Sequence, residues 1–179
     1  MTPKTPNFIE GNVTSAILKN VLLSYYRYER GYSHVVTEFF DADVVVSNQK
    51  IAIECEVKIS WKDYCADWSK KKHTENYKSM FKPNMFYFAA PEELAIRIKG
   101  DLEERSSKYG VIAITNQGIV KVLRKASKLH TTKVTDKVLE RMVARLTSEM
   151  ITLRHKIELL IVNLNTTTSV SINKKQIKS

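Results

Sequence analysis

Two periods of hydrophobic residues alternate along this chain, and the changes of period predict the order of its helices and strands. Residues 12–30 carry apolar side chains at the spacing of a helix. Residues 33–59 are rich in β-branched residues and predict strands instead. Within them a short turn separates Val44–Val46 from Ile51–Lys58, so we expect these two stretches to pair as an antiparallel hairpin.

Helical and strand patterns continue to alternate up to residue 129. A lysine-rich segment, Ser60–Tyr77, predicts a helix, and the aromatic strand MFYFAA follows it and ends at Pro91. The segment PEELAIRIKGDLEERSS predicts another helix, which Gly100 is expected to weaken in its middle. Two short strands, VIAIT and GIVKVLR, come next. This order predicts an α/β fold in which helices flank a mixed β-sheet.

A long helix is predicted from Thr131 to about Leu164. Leucine recurs at every seventh residue, and a second apolar residue lies between successive leucines at steps of four and three. This spacing is typical of a coiled-coil seam, with Glu149 at a g position and Arg154 at an e position, where they could pair between parallel chains. The seam consists of Leu139, Val143, Leu146, Met150, Leu153, Ile157 and Leu160.

We therefore expect a division into residues 1–130, the core, and residues 131–179, the C-terminal helix with a basic tail. The seam predicts a homodimer that forms through this helix. An amphipathic helix packed on its own domain is the alternative, because Met142, Ile151 and Leu159 widen the apolar stripe beyond the seam. The tail is polar, and we expect it to fray or to form one short strand.

Composition narrows the function classes. The 179 residues include 29 Lys and Arg against 19 Asp and Glu, and the net charge of +10 favours a polyanionic partner such as nucleic acid or an anionic membrane surface. A hydrophobic content of 43% is enough for a core. Two cysteines are too few for a disulfide framework or a structural zinc site. No apolar leader or membrane-spanning run occurs, so we expect a cytoplasmic protein without a membrane partner.

Charged side chains share one face of the last hairpin strand. By the alternation of a strand, Glu54, Glu56 and Lys58 face one side, while the apolar residues between them face the other. The hairpin can bring Asp43 close to Glu56, and two neighbouring carboxylates repel unless a cation such as Mg²⁺ or Mn²⁺ lies between them. The set therefore indicates metal-assisted hydrolysis of a phosphodiester, with Lys58 facing a phosphate or a metal-bound water. A strand that faces solvent would accept the same charges and is the alternative.

These residues also carry a family resemblance. Asp43, a gap of twelve residues and Glu56-Val57-Lys58 resemble the PD-(D/E)XK nuclease superfamily. The stretches EVKISWKDYCADWSKKKHTENY, KPNMFYFAAPEEL and KYGVIAIT are similar to the MmcB-type DNA repair nucleases and their phage relatives. The resemblance covers residues 12–118 and implies a restriction-endonuclease-like sheet. One departure is Asp41, where the family usually carries an arginine.

The resemblance implies a Mg²⁺- or Mn²⁺-dependent DNA endonuclease of the structure-selective or repair and recombination type. Asp43, Glu56 and the carbonyl of Val57 would bind the metal, and Lys58 would be the catalytic lysine. A non-catalytic DNA-binding or assembly protein on the same fold is the alternative, since basic charge and a coiled coil suit it equally well. Nothing in the residues separates RNA from DNA.

A further acid usually completes such a site from the first helix or its lead-in. Glu10 and Glu38 are both candidates. Alignment with the MmcB-type proteins favours Glu38. Strand parity opposes it, because Glu38 and Asp43 are five residues apart and should face opposite sides unless the chain bends between them.

The lysine-rich segment after the strand is the predicted contact surface for DNA phosphates. A solvated helix face with pairs such as Asp67–Lys71 is the alternative. We expect Tyr64 and Trp68 to pack in the core, and Trp61 either to pack there or to stack on a base. Cys55 should be an inert, buried thiol. The predicted phosphate contacts are Lys62, Lys70, Lys71, Lys72 and His73.

Overall fold

The computed structural model describes residues 13–70, 73, 81–105 and 107–176, with side chains up to residue 164. The chain forms two compact units, Met1–Met142 and Val143–Ser179. The helices are α1 (Ser15–Ser24), continued by a π-helical segment (Tyr25–Glu29), α2 (Trp61–Asp67), α3 (Glu92–Glu104) and α4 (Asp136–Gln176). The strands are β1 (His34–Phe39), β2 (Ala42–Ser47), β3 (Ala52–Val57), β4 (Met85–Pro91), β5 (Gly110–Ile114) and β6 (Val120–Arg124).

The six strands form one mixed sheet, in the same order as they occur in the chain. The pairs β1–β2, β2–β3 and β5–β6 are antiparallel, whereas β3–β4 and β4–β5 are parallel. Parallel neighbours need a crossover connection, and here α2 lies in the first crossover and α3 in the second. The predicted α/β fold, a mixed sheet flanked by helices, is confirmed.

The predicted hairpin is also confirmed. Val44 lies opposite Cys55 and Ser47 opposite Ala52, so β2 and β3 are antiparallel. In the turn the Asn48 side-chain oxygen accepts hydrogen bonds from two backbone amides, those of residues 50 and 51, at 3.2 and 3.1 Å. The register puts Cys55 on the face that α1 covers and Glu56 on the opposite face.

Each face of the sheet has its own apolar core. On one face, Leu18, Val21 and Leu22 of α1 pack against β2 and β3, where Cys55 is fully buried. The predicted burial of Cys55 is confirmed, and this burial raises the pKa of its thiol to about 12, as an unreactive thiol requires. On the other face, α2 and α3 pack on the aromatic residues of β4, and Tyr64 is completely buried there as predicted.

Gly100 does not interrupt α3. Ala95, Ile98 and Leu102 recur at helical spacing and are all buried, so their packing outweighs the cost of about 1 kcal/mol for one glycine in a helix. The predicted weakness in the middle of this helix is therefore wrong. The helix predicted over Ser60–Tyr77 is too long, because α2 ends at Asp67; residues 71–72 and 74–80 lie outside the described residues.

The start of α4 belongs to the first unit. Met142 is fully buried in a cluster with Val36, Phe39 and Val45, and Leu139 packs against the same cluster. The first unit thus includes residues beyond 130. The helix itself continues to Gln176, so the expectation of a frayed or extended tail after residue 164 is wrong. Within the described residues no helix has the length and apolar character that a membrane crossing needs.

Candidate functional site

The charged face of β3 does not face solvent. Glu56 and Lys58 are only 3% and 2% exposed, and Glu54 is buried as well. The alternative of a solvent-facing strand is therefore wrong. A buried charge costs several kcal/mol unless it is paired and hydrogen-bonded, so each of these groups requires a compensating partner.

Glu56 and Lys58 find their partners at the end of α2 and just after it. The Lys58 ammonium donates to Asp67 Oδ1 at 2.7 Å and to Glu56 Oε1 at 3.2 Å. The Lys70 ammonium contacts the same two oxygens, at 2.5 and 2.6 Å. On the far side of Asp67, His73 Nε2 lies 2.7 Å from Oδ2. We call Glu56, Lys58, Asp67, Lys70 and His73 the buried cluster.

Asp67 is the centre of the buried cluster, and its side chain has no exposed surface. Burial alone would raise the pKa of Asp67, but hydrogen bonds from His73, Lys58 and Lys70 outweigh it and hold the pKa well below its ordinary range. Burial alone would likewise lower the pKa of Lys70, but Asp67 and Glu56 hold it well above its ordinary range. Asp67 and Lys70 are therefore ionised at neutral pH.

A second group of charges lies where β2 and β3 separate. The ladder of paired residues ends at Val44 and Cys55, and beyond it Asp43 Oδ2 accepts a hydrogen bond from the Val57 amide at 2.8 Å. Asp43 Oδ1 lies 2.7 Å from the ammonium of Lys19 on α1. The same ammonium also donates to Glu38. We call Lys19, Glu38 and Asp43 the fork cluster.

Glu38 reaches the fork cluster because β1 and β2 form a hairpin of their own. Thr37 pairs with Val44 and Phe39 with Ala42, so Glu38 stands opposite Asp43 across the two strands. Opposite residues of an antiparallel pair share a face, and the parity argument against Glu38 is therefore wrong. Glu38 itself has a φ of +49°, a conformation that costs on the order of 1 kcal/mol in a residue other than glycine and is frequent at functional sites.

The donor atoms of the fork cluster fit a magnesium or manganese ion. Glu38 and Asp43 both contact the ammonium of Lys19, so their oxygens already converge on one positively charged group. In proteins Mg²⁺ is held by one or two carboxylates, with water and substrate phosphates completing its shell. Within the described part of the chain, no group of three or more His, Cys, Asp and Glu side chains could hold a metal. The fit therefore rests on two carboxylates.

The other predicted metal ligands have different surroundings. Glu56 is engaged in the buried cluster, and Val57 contributes its amide to Asp43. The carbonyl of Val57 as a ligand stays a prediction. Glu10 lies outside the described residues.

The predicted phosphate contacts fall into three groups. Lys62 is exposed on α2. Lys70 is half-exposed, with its ammonium bound to two carboxylates, and the His73 side chain is only 4% exposed and also contacts the Tyr109 hydroxyl at 3.2 Å. The burial of His73 disfavours a direct phosphate contact. Lys71 and Lys72 lie outside the described residues.

Sequence reasoning missed two residues of the site. Asp67 belongs to the stretch that carries the family resemblance and was considered as a partner of Lys71, but it was not predicted as a site residue. It lies three residues after Tyr64 and therefore shares the helix face that the predicted core tyrosine buries. That spacing was the available signal. For Lys19 the signal was weaker: it is the one charged residue of α1 and lies next to the buried Leu18.

Comparison with known proteins adds the fold alone. No family model matches the chain, and no curated protein matches it. The chain is similar in structure to a protein of unknown function from Silicibacter pomeroyi, with a TM-score of 0.54 and 15% sequence identity over 79% of this chain and 88% of the other. At this identity the likeness supports the α/β fold and carries nothing about activity.

Proposed function

We propose that this chain is a Mg²⁺- or Mn²⁺-dependent DNA endonuclease of the PD-(D/E)XK type, with a restriction-endonuclease-like sheet. One observation carries the proposal. The residues of the motif, Asp43, Glu56 and Lys58, gather around Val57: Glu56 precedes it in β3, Lys58 follows it directly after the strand ends, and Asp43 accepts the hydrogen bond from its amide. Two acids and a lysine at the end of one strand are the groups that hydrolysis of a phosphodiester needs, whereas an apolar core has no use for them.

In this proposal Glu38 and Asp43 hold the ion, which would act as a Lewis acid toward the scissile phosphate. Lys58 holds a fixed positive charge near the reacting phosphate, and Asp67 and Glu56 fix the direction of its ammonium. Lys70 covers Lys58 and is half-exposed, so an incoming phosphate meets Lys70 first. If the Lys70 ammonium leaves Glu56 and Asp67 and binds the phosphate instead, the substrate gains access to Lys58.

A second function is favoured by the same contacts. Asp43 already has Lys19 as its counter-ion, and Glu56 already has Lys58 and Lys70, so neither acid depends on a metal for charge balance. This arrangement suits a non-catalytic DNA-binding or assembly protein on the same fold. The net charge of +10 supports a nucleic-acid partner in both cases and leaves RNA as an alternative to DNA. For either function we propose that the protein is located in the cytoplasm.

Cleavage assays separate the two functions. Plasmid, single-stranded and four-way-junction DNA are incubated with Mg²⁺, Mn²⁺ or EDTA. We expect metal-dependent cleavage by the wild type and a loss on the order of 100-fold or more in Asp43→Asn and Lys58→Met, since each removes charge from the reacting centre. Glu93→Gln, which changes an exposed acid at the start of α3, should cleave normally. If no metal supports cleavage, or if Asp43→Asn and Lys58→Met both match the wild type, the chain is not a nuclease of this kind.

We propose a homodimer that forms through the second unit, with a second copy of α4 as the partner. The seam residues after Leu139 are all exposed, which is unusual for so many apolar side chains on one helix of a monomer. Glu149 and Arg154 flank the seam with opposite charges, as a parallel pair of helices requires. Leu153→Glu with Leu160→Glu should lower the mass measured by light scattering to that of a monomer. Thr152→Glu, off the seam, is the control, and an unchanged mass in the leucine double variant contradicts the dimer.

A further inference from the structure

A cavity of about 1230 Å³ adjoins the buried cluster in the first unit. Its walls come from the β1–β2 turn, the start of β4, the segment after α3 and residues 129–138. His73 belongs to the wall of the cavity and, through Asp67, to the buried cluster. The cavity and the proposed catalytic charges therefore share a side chain.

One buried asparagine holds the walls of this cavity together. The Asn84 side-chain oxygen accepts from the Ala52 amide at 2.8 Å, which ties it to the sheet. The Asn84 side-chain nitrogen donates to the carbonyls of Thr132 and His130 at 2.8 and 3.2 Å. The Asn84 carbonyl accepts from the Leu129 amide at 2.8 Å. The part of the wall from residue 129 to residue 132 is thus hydrogen-bonded to the sheet without any ligand.

Stacked aromatic rings line the cavity. Trp68 and Tyr109 stack with their centroids 5.8 Å apart and an angle of 16°. Phe40 and Phe81 form a second stacked pair, at 6.2 Å and 14°. Phe40 is exposed although it is a large apolar residue, and its φ of +53° places it in the left-handed region. Exposed aromatic faces next to basic residues are the platforms on which unpaired bases stack.

Basic side chains surround the aromatic rings. Lys82, Lys108 and Lys133 line the cavity and are exposed, and the guanidinium of Arg105 lies 5.0 Å from the centre of the Trp68 ring. Among the described residues of the lining, the acids are Asp41 and the buried Glu54. The ligand that this lining fits has a planar ring and carries negative charge. A nucleotide has both features, whereas an apolar ligand would leave the lysines unused.

We propose that this cavity binds an unpaired nucleotide of the DNA strand that lies across the buried cluster. This inference rests on the proposed function and names the form of its substrate: a strand with at least one base out of the duplex, as in a single strand or a junction. The base stacks on Phe40 or on the Trp68–Tyr109 pair, and the phosphates on either side of it pair with Lys82 and Lys133. A duplex without an unpaired base would not fill the cavity.

The two tryptophans allow a direct test. Trp68 lines the cavity and Trp61 does not, so the variant Trp61→Phe leaves one tryptophan, in the cavity wall, which is excited selectively at a wavelength that tyrosine does not absorb. This variant is titrated with oligo(dT) of eight nucleotides in EDTA, and in parallel with ribose 5-phosphate and with inorganic phosphate. We expect saturable quenching of Trp68 by the oligonucleotide only. No quenching, or equal quenching by ribose 5-phosphate, overturns the proposal.

Binding variants complete the test without relying on Trp61→Phe. The anisotropy of fluorescein-labelled oligo(dT) is measured with the otherwise wild-type chain. Phe40→Ala, and Lys82→Glu combined with Lys133→Glu, should each weaken binding at least tenfold. Lys50→Glu, which changes an exposed lysine of the β2–β3 turn, should bind normally. Normal binding by both cavity variants overturns the proposal.

The titrations and the cleavage assays distinguish failure of the nucleotide-binding proposal from failure of the nuclease proposal. The titrations contain no metal and measure no cleavage. Quenching by the oligonucleotide together with absence of cleavage leaves the cavity and rejects the nuclease. Cleavage of duplex plasmid without any quenching retains the nuclease and rejects the cavity.

Discussion

The fork cluster and the buried cluster both consist of ion pairs between carboxylates and ammonium groups near Val57, yet they differ in exposure and charge balance. In the fork cluster one ammonium, that of Lys19, serves two carboxylates, and Glu38 is 58% exposed. In the buried cluster two ammonium groups serve two carboxylates, and the Asp67 side chain is completely buried. The fork cluster therefore has an excess of negative charge within reach of solvent, whereas the carboxylates and ammonium groups of the buried cluster balance.

In the function that we propose, this difference gives the two groups different tasks. A site that must take up a metal ion needs acid in excess and an exchangeable counter-ion, as at the fork. A lysine that must point in one direction needs a closed shell of acceptors, as Lys58 has. Variants of single residues in the two clusters test this difference.

The largest effect is expected from Asp67→Asn, which removes the central charge of the buried cluster. Lys58 would keep Glu56 but lose its shortest contact in a site with almost no access to water. Breaking a buried ion pair costs about 3–5 kcal/mol of unfolding free energy, measured by urea denaturation. Asp63→Asn is the matched control, since Asp63 is half-exposed and 3.8 Å from the same ammonium; it should cost about 1 kcal/mol or less. Equal losses in the two variants would mean that the cluster is not closed.

The pH dependence of stability should show the same asymmetry. Since the folded protein holds the pKa of Asp67 below its ordinary range, the unfolded chain takes up that proton more readily. The stabilising contribution of Asp67 is complete above the unfolded pKa of about 4 and is lost as the pH falls below it, toward the folded pKa. Urea denaturation from pH 7 to pH 3 should therefore show a steeper loss for the wild type than for Asp67→Asn. Parallel curves would contradict this.

Lys19→Met tests whether the fork can exchange its cation. Burial would lower the pKa of Lys19, but hydrogen bonds to Asp43 and Glu38 raise it, so this ammonium competes with a metal at neutral pH. Removing it should raise the affinity for Mn²⁺ about tenfold, equivalent to about 1.4 kcal/mol. Water-proton relaxation in Mn²⁺ titrations measures this. Lys70→Met should leave the affinity unchanged; a rise in that variant instead would place the metal at Glu56.

The smallest effect concerns the two cysteines and checks that the α1 face is closed beside the fork. Cys55 is buried beneath α1, and its pKa is raised to about 12 by burial, whereas Cys65 is exposed. A thiol reagent at pH 8 should modify one cysteine per folded chain and both after denaturation. Modification of both cysteines at the same rate in the folded chain would show that this face opens readily.

The strands and α3 could be predicted from the sequence because their signals are local. Alternation along β3 placed Glu56 and Lys58 on one face, and that placement is confirmed. Their burial could not be predicted, since it depends on Asp67 at the end of α2 and on Lys70 just beyond it, and these contacts to β3 are made across the fold. The lysine-rich pattern suggested a longer helix there, but α2 ends at Asp67 and Lys70 pairs with Asp67 from the turn that follows.

The position of Glu38 illustrates the same limit. Along one continuous strand, Glu38 and Asp43 would face opposite sides of the sheet. The chain instead turns at residues 40–41 and places the two acids opposite each other on neighbouring strands. That turn needs a positive φ at Phe40. Phenylalanine rarely adopts a positive φ, so the residue type gives no signal of the turn. A glycine at this position would have signalled the turn.

The most direct measurement is an anomalous difference map from crystals grown with Mn²⁺. We propose that the fork cluster binds the metal ion and that the buried cluster holds Lys58 in place. We therefore expect one strong peak within coordination distance of Asp43 and Glu38, with the Lys19 ammonium displaced from between them. A peak elsewhere, or no peak at saturating Mn²⁺ while Lys19 still binds both carboxylates, would contradict it.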